Sequence, residues 1–172
     1  MKIMRAFKFR LKTNSSLAAK LASIAGSNRF IWNWALANQK QRLEKKEYTQ
    51  NYASLCGSLL VIKNEEATAW LNDCPSQTLQ QSLKNLDKAL KDAFNKKSPK
   101  KFPQFKKRGQ GDSFRYPQGI KVGGNRVFLP KIGWVSFFKS REIIGQIKNA
   151  TVRESTNCTL RSPILGKTIC TK

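Results

Sequence analysis

The side chains with the clearest chemical capability lie in a cationic segment near the middle of the chain. We call residues 96–108 the basic segment, and two aromatic residues, Phe102 and Phe105, interrupt its positive charges. Clustered cations that alternate with aromatic rings are typical of surfaces that bind a polyanion. The two rings are either anchors that hold the segment to the protein or platforms on which bases stack. The cations are Lys96, Lys97, Lys100, Lys101, Lys106, Lys107 and Arg108.

The acidic residues offer no set of carboxylates that would converge on a metal or a substrate. Asp87 lies four residues before Lys91, and Asp92 four before Lys96, which is the spacing of ion pairs on a helix surface. The chain contains no histidine, which excludes histidine-based catalysis and histidine metal ligands. The cysteines form no C-x-x-C pair. We therefore predict no catalytic residues and neither a metal nor another cofactor. The cysteines are Cys56, Cys74, Cys158 and Cys170.

The overall charge also indicates a polyanionic partner. The 172 residues include 33 Lys and Arg against 10 Asp and Glu, a net charge of +23. Such self-repulsion destabilises a compact chain unless an anion neutralises it, so nucleic acid is the expected partner and an anionic membrane surface the alternative. No run approaches the ~20 apolar residues of a spanning helix, and no apolar signal segment is present. We expect a cytoplasmic, nucleoid-associated protein with no membrane or small-molecule partner.

A strongly amphipathic helix leads into the basic segment. Its apolar residues recur at steps of three and four, which places them on one helical face. They are Leu79, Leu83, Leu86, Leu90 and Phe94. Pro75 suits the first helical turn, where its missing N–H costs nothing. The opposite, polar face carries Gln77, Gln80, Gln81, Lys84, Lys88 and Lys91.

The residues after the first strand predict two helices near the N-terminus. One is predicted to begin near Leu17, and Gly26 is expected to interrupt it. The second is predicted over residues 27–46, so that the pair would form a helix-turn-helix-like hairpin, although any helical hairpin gives this pattern. The candidate caps of the first helix are Asn14, Ser15 and Ser16.

Aromatic residues are concentrated in the second of these helices. Trp32 and Trp34 are predicted to be core side chains, with base stacking as the alternative. Further helices are expected to begin at Tyr48 and at Asn64. Residues 17–95 would therefore be all-helical and form a small bundle.

Short strands flank this helical region. Period-two alternation over residues 3–12 predicts a half-buried strand whose outer face carries only cations. That face is either a solvated edge or a surface that contacts phosphate. With the later strands it suggests a compact antiparallel barrel into which the helices are inserted, an α+β fold. The cations are Lys8, Arg10 and Lys12. The later strands are predicted at 113–116, 120–122, 126–129, 133–139 and 144–154.

Short motifs follow one another in a recognisable order over residues 3–153. Two early ones are Lys8-Phe9-Arg10-Leu11 and Gly26-x-x-Arg29-Phe30-Ile31-x-Asn33. The later ones are Pro75-Ser76-Gln77-x-Leu79-Gln80-Gln81, Phe102-Pro103-x-Phe105-Lys106-Lys107 and Leu129-Pro130-Lys131-Ile132-Gly133-Trp134-Val135. In this order the chain resembles the N-terminal half of the TnpB (OrfB) family, the transposon-encoded RNA-guided DNA nucleases that are related to type V CRISPR effectors.

The resemblance implies a wedge-type β-barrel, residues 1–14 and 110–155, and an inserted helical recognition domain, residues 15–109. The barrel would grip the scaffold of a guide RNA, and the helices would lie against double-stranded DNA and the guide–target heteroduplex. Residues beside the short DNA motif next to the target would be Tyr52, Ser76, Gln77 and Gln80, and a Gln suits an adenine edge. The basic segment would contact phosphates, as would Lys8, Arg10, Lys12, Arg29 and Arg115.

The chain also departs from the family. The family's nuclease holds two divalent metals with three carboxylates, and we expect the first of these only beyond the last residue of this chain. Residues 156–172 form a divergent tail that lacks the aromatic, alternating strand expected there, and a frameshift or premature stop is one hypothesis for both features. We predict nucleic-acid binding by a truncated TnpB-like, transposase-associated protein that is not an enzyme. The alternatives are a non-guided, basic helix-turn-helix DNA-binding protein and a non-functional remnant of an insertion sequence.

Overall fold

The computed structural model describes residues 4–143, 145–154 and 163–171, and it combines helices with antiparallel strands. The chain divides into two compact units, Met1–Gly26 with Arg108–Lys172, and Ser27–Lys107. We call them the sheet unit and the helical unit. The helices are α1 (Ser15–Glu44), α2 (Tyr52–Asn64), a 3₁₀ helix (Glu66–Asp73) and α3 (Ser76–Phe94). The strands are β1 (Met4–Leu11), β2 (Ser113–Tyr116), β3 (Lys121–Gly123), β4 (Arg126–Leu129), β5 (Gly133–Phe138), β6 (Gln146–Ile147), β7 (Ala150–Glu154) and β8 (Pro163–Thr171).

Helix α1 is continuous, and the predicted hairpin around Gly26 is therefore wrong. The helix begins at Ser15, where the Leu17 N–H donates to Asn14 Oδ1 at 2.8 Å, so Asn14 is its cap. A glycine inside a helix costs only about 1 kcal/mol relative to alanine. Apolar side chains are buried on both sides of Gly26, including Ile24 before it and Ile31 after it. Their packing outweighs the glycine, and the helix does not break.

The helical unit packs around leucines of α2 and α3. The predicted apolar stripe of α3 is buried as far as Leu90, whereas Phe94, at the helix end, is 53% exposed. Helix α2 begins at Tyr52 and not at Tyr48, because Asn51 caps it and its Oδ1 accepts from the Ser54 N–H at 2.9 Å. The side chains of this core include Leu55, Leu59, Ile62, Leu79, Leu83, Leu86 and Leu90. None of the helices among the described residues is long and apolar enough to cross a membrane.

A buried polar network fixes the register between α1 and α3. Asn28 Nδ2 donates to Thr78 Oγ1 at 3.1 Å, and Ser82 Oγ donates to Asn28 Oδ1 at 2.8 Å. All three residues are buried. A shift of either helix along its axis would break both hydrogen bonds. It would leave buried polar groups without partners, which lowers the stability of the fold.

The sheet unit contains one antiparallel sheet, which confirms the α+β class. The strand order is β2-β7-β8-β1-β5-β4-β3, and β6 pairs with β8. Period-two alternation holds along β1, where Phe7, Phe9 and Leu11 are buried. The path ends at β2 and β3, and in the described part of the chain these two strands do not pair with each other. The sheet is therefore open there, and the closed barrel is not observed.

Strand β8 shows that the tail contains a strand although its sequence lacks the expected aromatic alternation. Pro163–Thr171 pairs with β1 on one side and with β7 on the other. Its register against β1 shifts between Phe7 and Lys8, which is a bulge. The sequence pattern missed this strand because a central strand is held by main-chain bonds on both edges and does not require side-chain alternation. Residues 155–162 and 172 of the predicted tail lie outside the described residues.

Candidate nucleic-acid interface

The side chain of Asn33 binds the backbone of the basic segment to α1. Asn33 Nδ2 donates to the Lys106 carbonyl at 3.0 Å, and the Lys106 N–H donates to Asn33 Oδ1 at 2.8 Å. The amide thus makes the same pair of bonds that a neighbouring strand would make. Trp32, the residue before Asn33, adds a third hydrogen bond, because its Nε1 donates to the Gln104 carbonyl at 3.0 Å. Pro103 beside them is buried. The chain at residues 103–106 therefore has a fixed path along the helix.

The two phenylalanines of the segment differ in environment. Phe102 is half-buried and meets the edge of Phe94 with 6.1 Å between ring centroids, which favours the anchor interpretation. Phe105 is 46% exposed, and Lys40 Nζ lies 4.5 Å from its ring centroid. Trp32 is buried, in agreement with the predicted core role. Its ring is covered by Lys106 Nζ at 4.1 Å, a cation–π contact.

One cation of the segment is paired with an acid. Lys100 Nζ binds Asp92, whereas the sequence predicted an Asp92–Lys96 pair. The prediction was wrong because α3 ends at Phe94, so Lys96 no longer follows the helical spacing. The hydrogen bond from Lys100 lowers the pKa of Asp92. Because the pKa of Asp92 is lower in the folded than in the unfolded protein, this ion pair stabilises the fold at neutral pH. The stabilisation is lost as the pH falls through the folded-state pKa and Asp92 becomes protonated.

The remaining cations of the segment are exposed. Among the residues that the structure describes, the side chains of Lys101 and Lys107 contact no acid. Arg29 lies on α1 one turn before Asn33 and therefore on the same helical face, and it is half-buried. The structure thus brings Arg29 and the segment to one helix face. The other exposed cations of the segment are Lys96 and Lys97 in the helical unit, and Arg108, which belongs to the sheet unit.

The predicted cations of the sheet unit share one face of the sheet. Lys8 and Arg10 are exposed on β1, and Lys12 follows them with the same alternation. Arg115 pairs with Thr151, Thr151 with Gly166 and Gly166 with Lys8, so Arg115 and Lys8 stand in one cross-strand row. Three strand spacings separate them by about 14 Å.

Sequence reasoning missed further members of this cationic face. Their signal was the alternation within the predicted strands, which places every second residue on the outer side. Arg153 pairs with Ile164, which pairs with Arg10, and Arg126 pairs with Ser136. Within described strands β1–β5 and β7 no acid occupies an outward position. The missed cations are Lys121, Arg126 and Arg153.

The four residues predicted at the DNA motif lie at two places. Ser76, Gln77 and Gln80 lie in the first two turns of α3, and Ser76 Oγ accepts from Lys63 Nζ at 3.0 Å. Tyr52 begins α2 and is eleven residues before Lys63, about 16 Å along the helix axis. Ser76 and Gln80 are exposed, while Gln77 is half-buried. The helical structure therefore groups three of the four residues and leaves Tyr52 at the far end of α2.

Two of these side chains have distinctive environments. A hydrogen bond with Cys56 raises the pKa of Tyr52, and burial acts in the same direction, so the phenol stays protonated at neutral pH. Gln77 Oε1 is buried and accepts no hydrogen bond in the described part of the chain.

No group of three His, Cys, Asp or Glu side chains that could hold a metal occurs among the described residues.

Comparison with known proteins identifies similar sequences. Residues 1–47 match the OrfB/IS605 family model described as "Helix-turn-helix domain". Over 157 residues the chain is 45% identical to "Putative RNA-guided DNA endonuclease InsQ" of Escherichia coli (strain K12). The aligned region covers 90% of this chain and 39% of that protein. Over 106 residues it is 31% identical to "Putative RNA-guided DNA endonuclease" of Streptomyces pristinaespiralis. This aligned region covers 62% of this chain and 26% of that protein. The chain thus spans less than half the length of both curated relatives.

The matched N-terminal region has a specific geometry in this protein. Its described residues comprise strand β1 and the single helix α1, which runs to Glu44. The description of the family model supports a role at nucleic acid. The match supports the helix-turn-helix assignment, while in this structure α1 continues through Gly26.

Proposed function

Because this chain belongs to the TnpB (OrfB) family of transposon-associated proteins, we propose that it binds a guide RNA and double-stranded DNA. One cationic surface, residues 96–107 of the basic segment, belongs to the helical unit. Another, the outer face of the sheet, belongs to the sheet unit. Each would neutralise phosphates, and the net charge of +23 supports a polyanionic partner of this kind.

The observation that carries this proposal is the fixed backbone of the basic segment. Asn33 and Trp32 hold residues 104–106 along α1, while the side chains of Lys101 and Lys107 remain exposed. Cations on an ordered backbone lose less conformational freedom on binding than cations on a free loop. Contacts of this type position a nucleic acid without reading its sequence.

We assign the parts of the chain by the family pattern. The sheet unit is proposed to be the wedge-type domain that contacts the guide RNA scaffold. The helical unit is proposed to be the recognition domain, with Ser76, Gln77 and Gln80 at the motif beside the DNA target. Tyr52 joins this proposal only by family resemblance, since it lies at the other end of α2.

We further propose that residues 1–172 bind nucleic acid without cutting it. Three of the described acids support this, since Asp87 binds Lys91, Asp92 binds Lys100 and Glu47 binds Arg42. Carboxylates engaged with lysine and arginine are poor candidates for a two-metal site. Incubation of the purified protein with plasmid DNA and Mg²⁺ should leave the DNA intact, and cleavage that a single-acid variant abolishes would contradict the proposal.

A competitive gel shift tests the guide RNA proposal. Structured RNA transcribed from the end of the transposable element that encodes this protein should bind at least about tenfold more tightly than an unrelated RNA hairpin of equal length. A duplex DNA of equal charge serves as the second competitor, because counterion release alone predicts similar affinities for similar phosphate densities. Equal affinity for all three would reduce the function to general electrostatic binding.

Gln80→Ala tests the proposed contact with the DNA motif. We expect it to reduce the preference for duplexes that carry the motif by about 1–3 kcal/mol, because a bidentate amide contact to adenine is lost. Binding to other duplexes should not change. The preference is measured by selecting from a randomised duplex library with the wild type and the variant.

Gln81→Ala is the matched control for this substitution. Gln81 is adjacent and of the same type, but its Nε2 donates to Asn85 Oδ1 at 2.8 Å within α3. It should leave the selected sequences unchanged. If both variants alter the preference alike, the effect comes from the helix and not from a base contact.

A further inference from the structure

A groove in the sheet unit combines cations with exposed aromatic rings. It has a volume of about 900 Å³ and lies between β1, β5 and the first turns of α1. Among its lining residues are three cations, Arg10, Lys12 and Lys20, and the described lining contains no carboxylate. The electrostatic field within it is therefore positive, which attracts an anion.

Two rings on β5 line this groove without being part of the core. Trp134 and Phe138 are each 54% exposed, whereas Val135 and Phe137, which alternate with them, are buried on the other face. The two ring-bearing residues are four positions apart along the strand, which is about 13 Å. Large apolar side chains that stay exposed on one face of a strand suggest a surface that a ligand covers.

Cations and rings alternate across neighbouring strands at this place. Phe138 pairs with Arg10, and Trp134 pairs with Phe128. The Lys12 N–H donates to the Ser136 carbonyl at 2.7 Å, so Lys12 lies in the row between the two rings. Lys12 Nζ is 4.7 Å from the Phe138 ring centroid. Each exposed ring on β5 therefore has a cation either directly opposite it or in the neighbouring cross-strand row.

We propose that this groove binds an unpaired stretch of nucleic acid, with bases stacked on Trp134 and Phe138 and phosphates on Arg10, Lys12 and Lys20. The inference rests on the proposed function and deepens it by naming a single-stranded segment as the ligand. A duplex hides its base faces in its own stack, so it can use the cations but not the rings. An apolar protein segment would offer these cations no negative charge, which makes their burial beneath it unfavourable.

The test compares single strands with a duplex on the full chain. Fluorescence anisotropy at low salt is measured with labelled oligo(U), oligo(dT) and a hairpin of equal phosphate number whose strands are joined by a non-nucleotide linker, so that every base is paired. For the double variant Trp134→Leu and Phe138→Leu, we expect the affinity for both single strands to fall at least about tenfold, since each stacked base contributes to binding. The affinity for the hairpin should change less than about threefold because the charge is unchanged. A larger effect on oligo(U) than on oligo(dT) identifies RNA as the preferred source of the strand.

Two further variants act as controls. Trp134→Phe with Phe138→Tyr keeps both rings and should restore single-strand binding. Trp70→Leu removes an exposed tryptophan of the helical unit and should leave it unchanged. A second measurement needs no folded variant: ultraviolet crosslinking of bromouridine-containing oligo(U) to the wild type should yield adducts at Trp134 or Phe138 in peptide mass spectra.

Several outcomes separate this inference from the proposed function. Equal losses for single strands and hairpin, or crosslinks confined to the basic segment, would overturn the groove assignment while nucleic-acid binding stands. Wild-type protein that binds none of the three probes at low salt would overturn the proposed function itself. Loss of single-strand binding with retained hairpin binding, together with adducts on β5, supports the groove.

Discussion

Replacing Leu83 by aspartate should unfold the helical unit. Leu83 is fully buried in the centre of the apolar stripe of α3. Among the described residues no lysine or arginine is buried in the core to pair with a carboxylate there, so its burial costs at least about 4 kcal/mol. The free energy of unfolding of a small domain is only about 5–15 kcal/mol in total. Thermal unfolding followed by circular dichroism at 222 nm should show a midpoint lower by at least about 15 °C, or a loss of helical signal at 25 °C.

Asn85→Asp is the matched control for this substitution. It introduces the same residue two positions later on the same helix, at an exposed site, and keeps the Oδ1 acceptor for Gln81. Because the chain carries a net charge of +23, one added negative charge should not itself destabilise it. Leu83→Ala separates the cavity from the charge, since it should cost about 2–5 kcal/mol.

A melting midpoint of Leu83→Asp within about 3 °C of the Asn85→Asp value would contradict the packing of α3 described above. Such a result would mean that position 83 reaches solvent.

Removal of four lysines from the basic segment should reduce the affinity for nucleic acid of any sequence. The variant carries alanine at Lys100, Lys101, Lys106 and Lys107. If each lysine neutralises one phosphate, the slope of log K against log salt should become shallower by about 3.6, and affinity at low salt should fall on the order of 10²–10³-fold. The measurement is a salt titration of binding to a non-specific duplex.

The quadruple lysine-to-arginine variant is the control, because arginine preserves the charge and can keep the contacts with Asp92 and with the Trp32 ring. It should bind within about threefold of the wild type. The two halves of the set can also be separated. Lys101 and Lys107 have free ammonium groups in the described structure, whereas Lys100 must first leave Asp92. The double variant of Lys101 and Lys107 should therefore show the larger share of the loss.

A quadruple alanine variant with an unchanged salt slope would show that the basic segment does not contact phosphate. In that case the outer face of the sheet would be the remaining candidate surface, and its arginines would be the next to replace.

Local patterns in the sequence were sufficient for several elements. The period of the leucines from Leu79 to Leu90 predicted α3 and its buried face, and strands β2 and β4 were predicted with the bounds that the structure has. These predictions succeeded because the periodicity of side chains follows from helix and strand geometry alone. The cationic composition likewise indicated a polyanionic partner without any knowledge of the fold.

Other features depended on contacts between distant parts of the chain. Packing on both sides of Gly26 kept α1 continuous against its local propensity. Pairing with β1 and β7 made Pro163–Thr171 a strand although its residue pattern did not predict one. In both cases tertiary contacts outweighed a local preference that is worth only about 1 kcal/mol.

The sequence by itself determined which residues carry charge and which faces of the helices and strands are apolar, because both are properties of residue type and spacing. Only the tertiary structure decided where these charges stand. The amide of Asn33 binds a backbone 73 residues away, and strand register places Arg10 opposite Phe138. Such pairings join residues that are remote in sequence, and no local period encodes them, since they follow from how the folded backbone satisfies its hydrogen bonds.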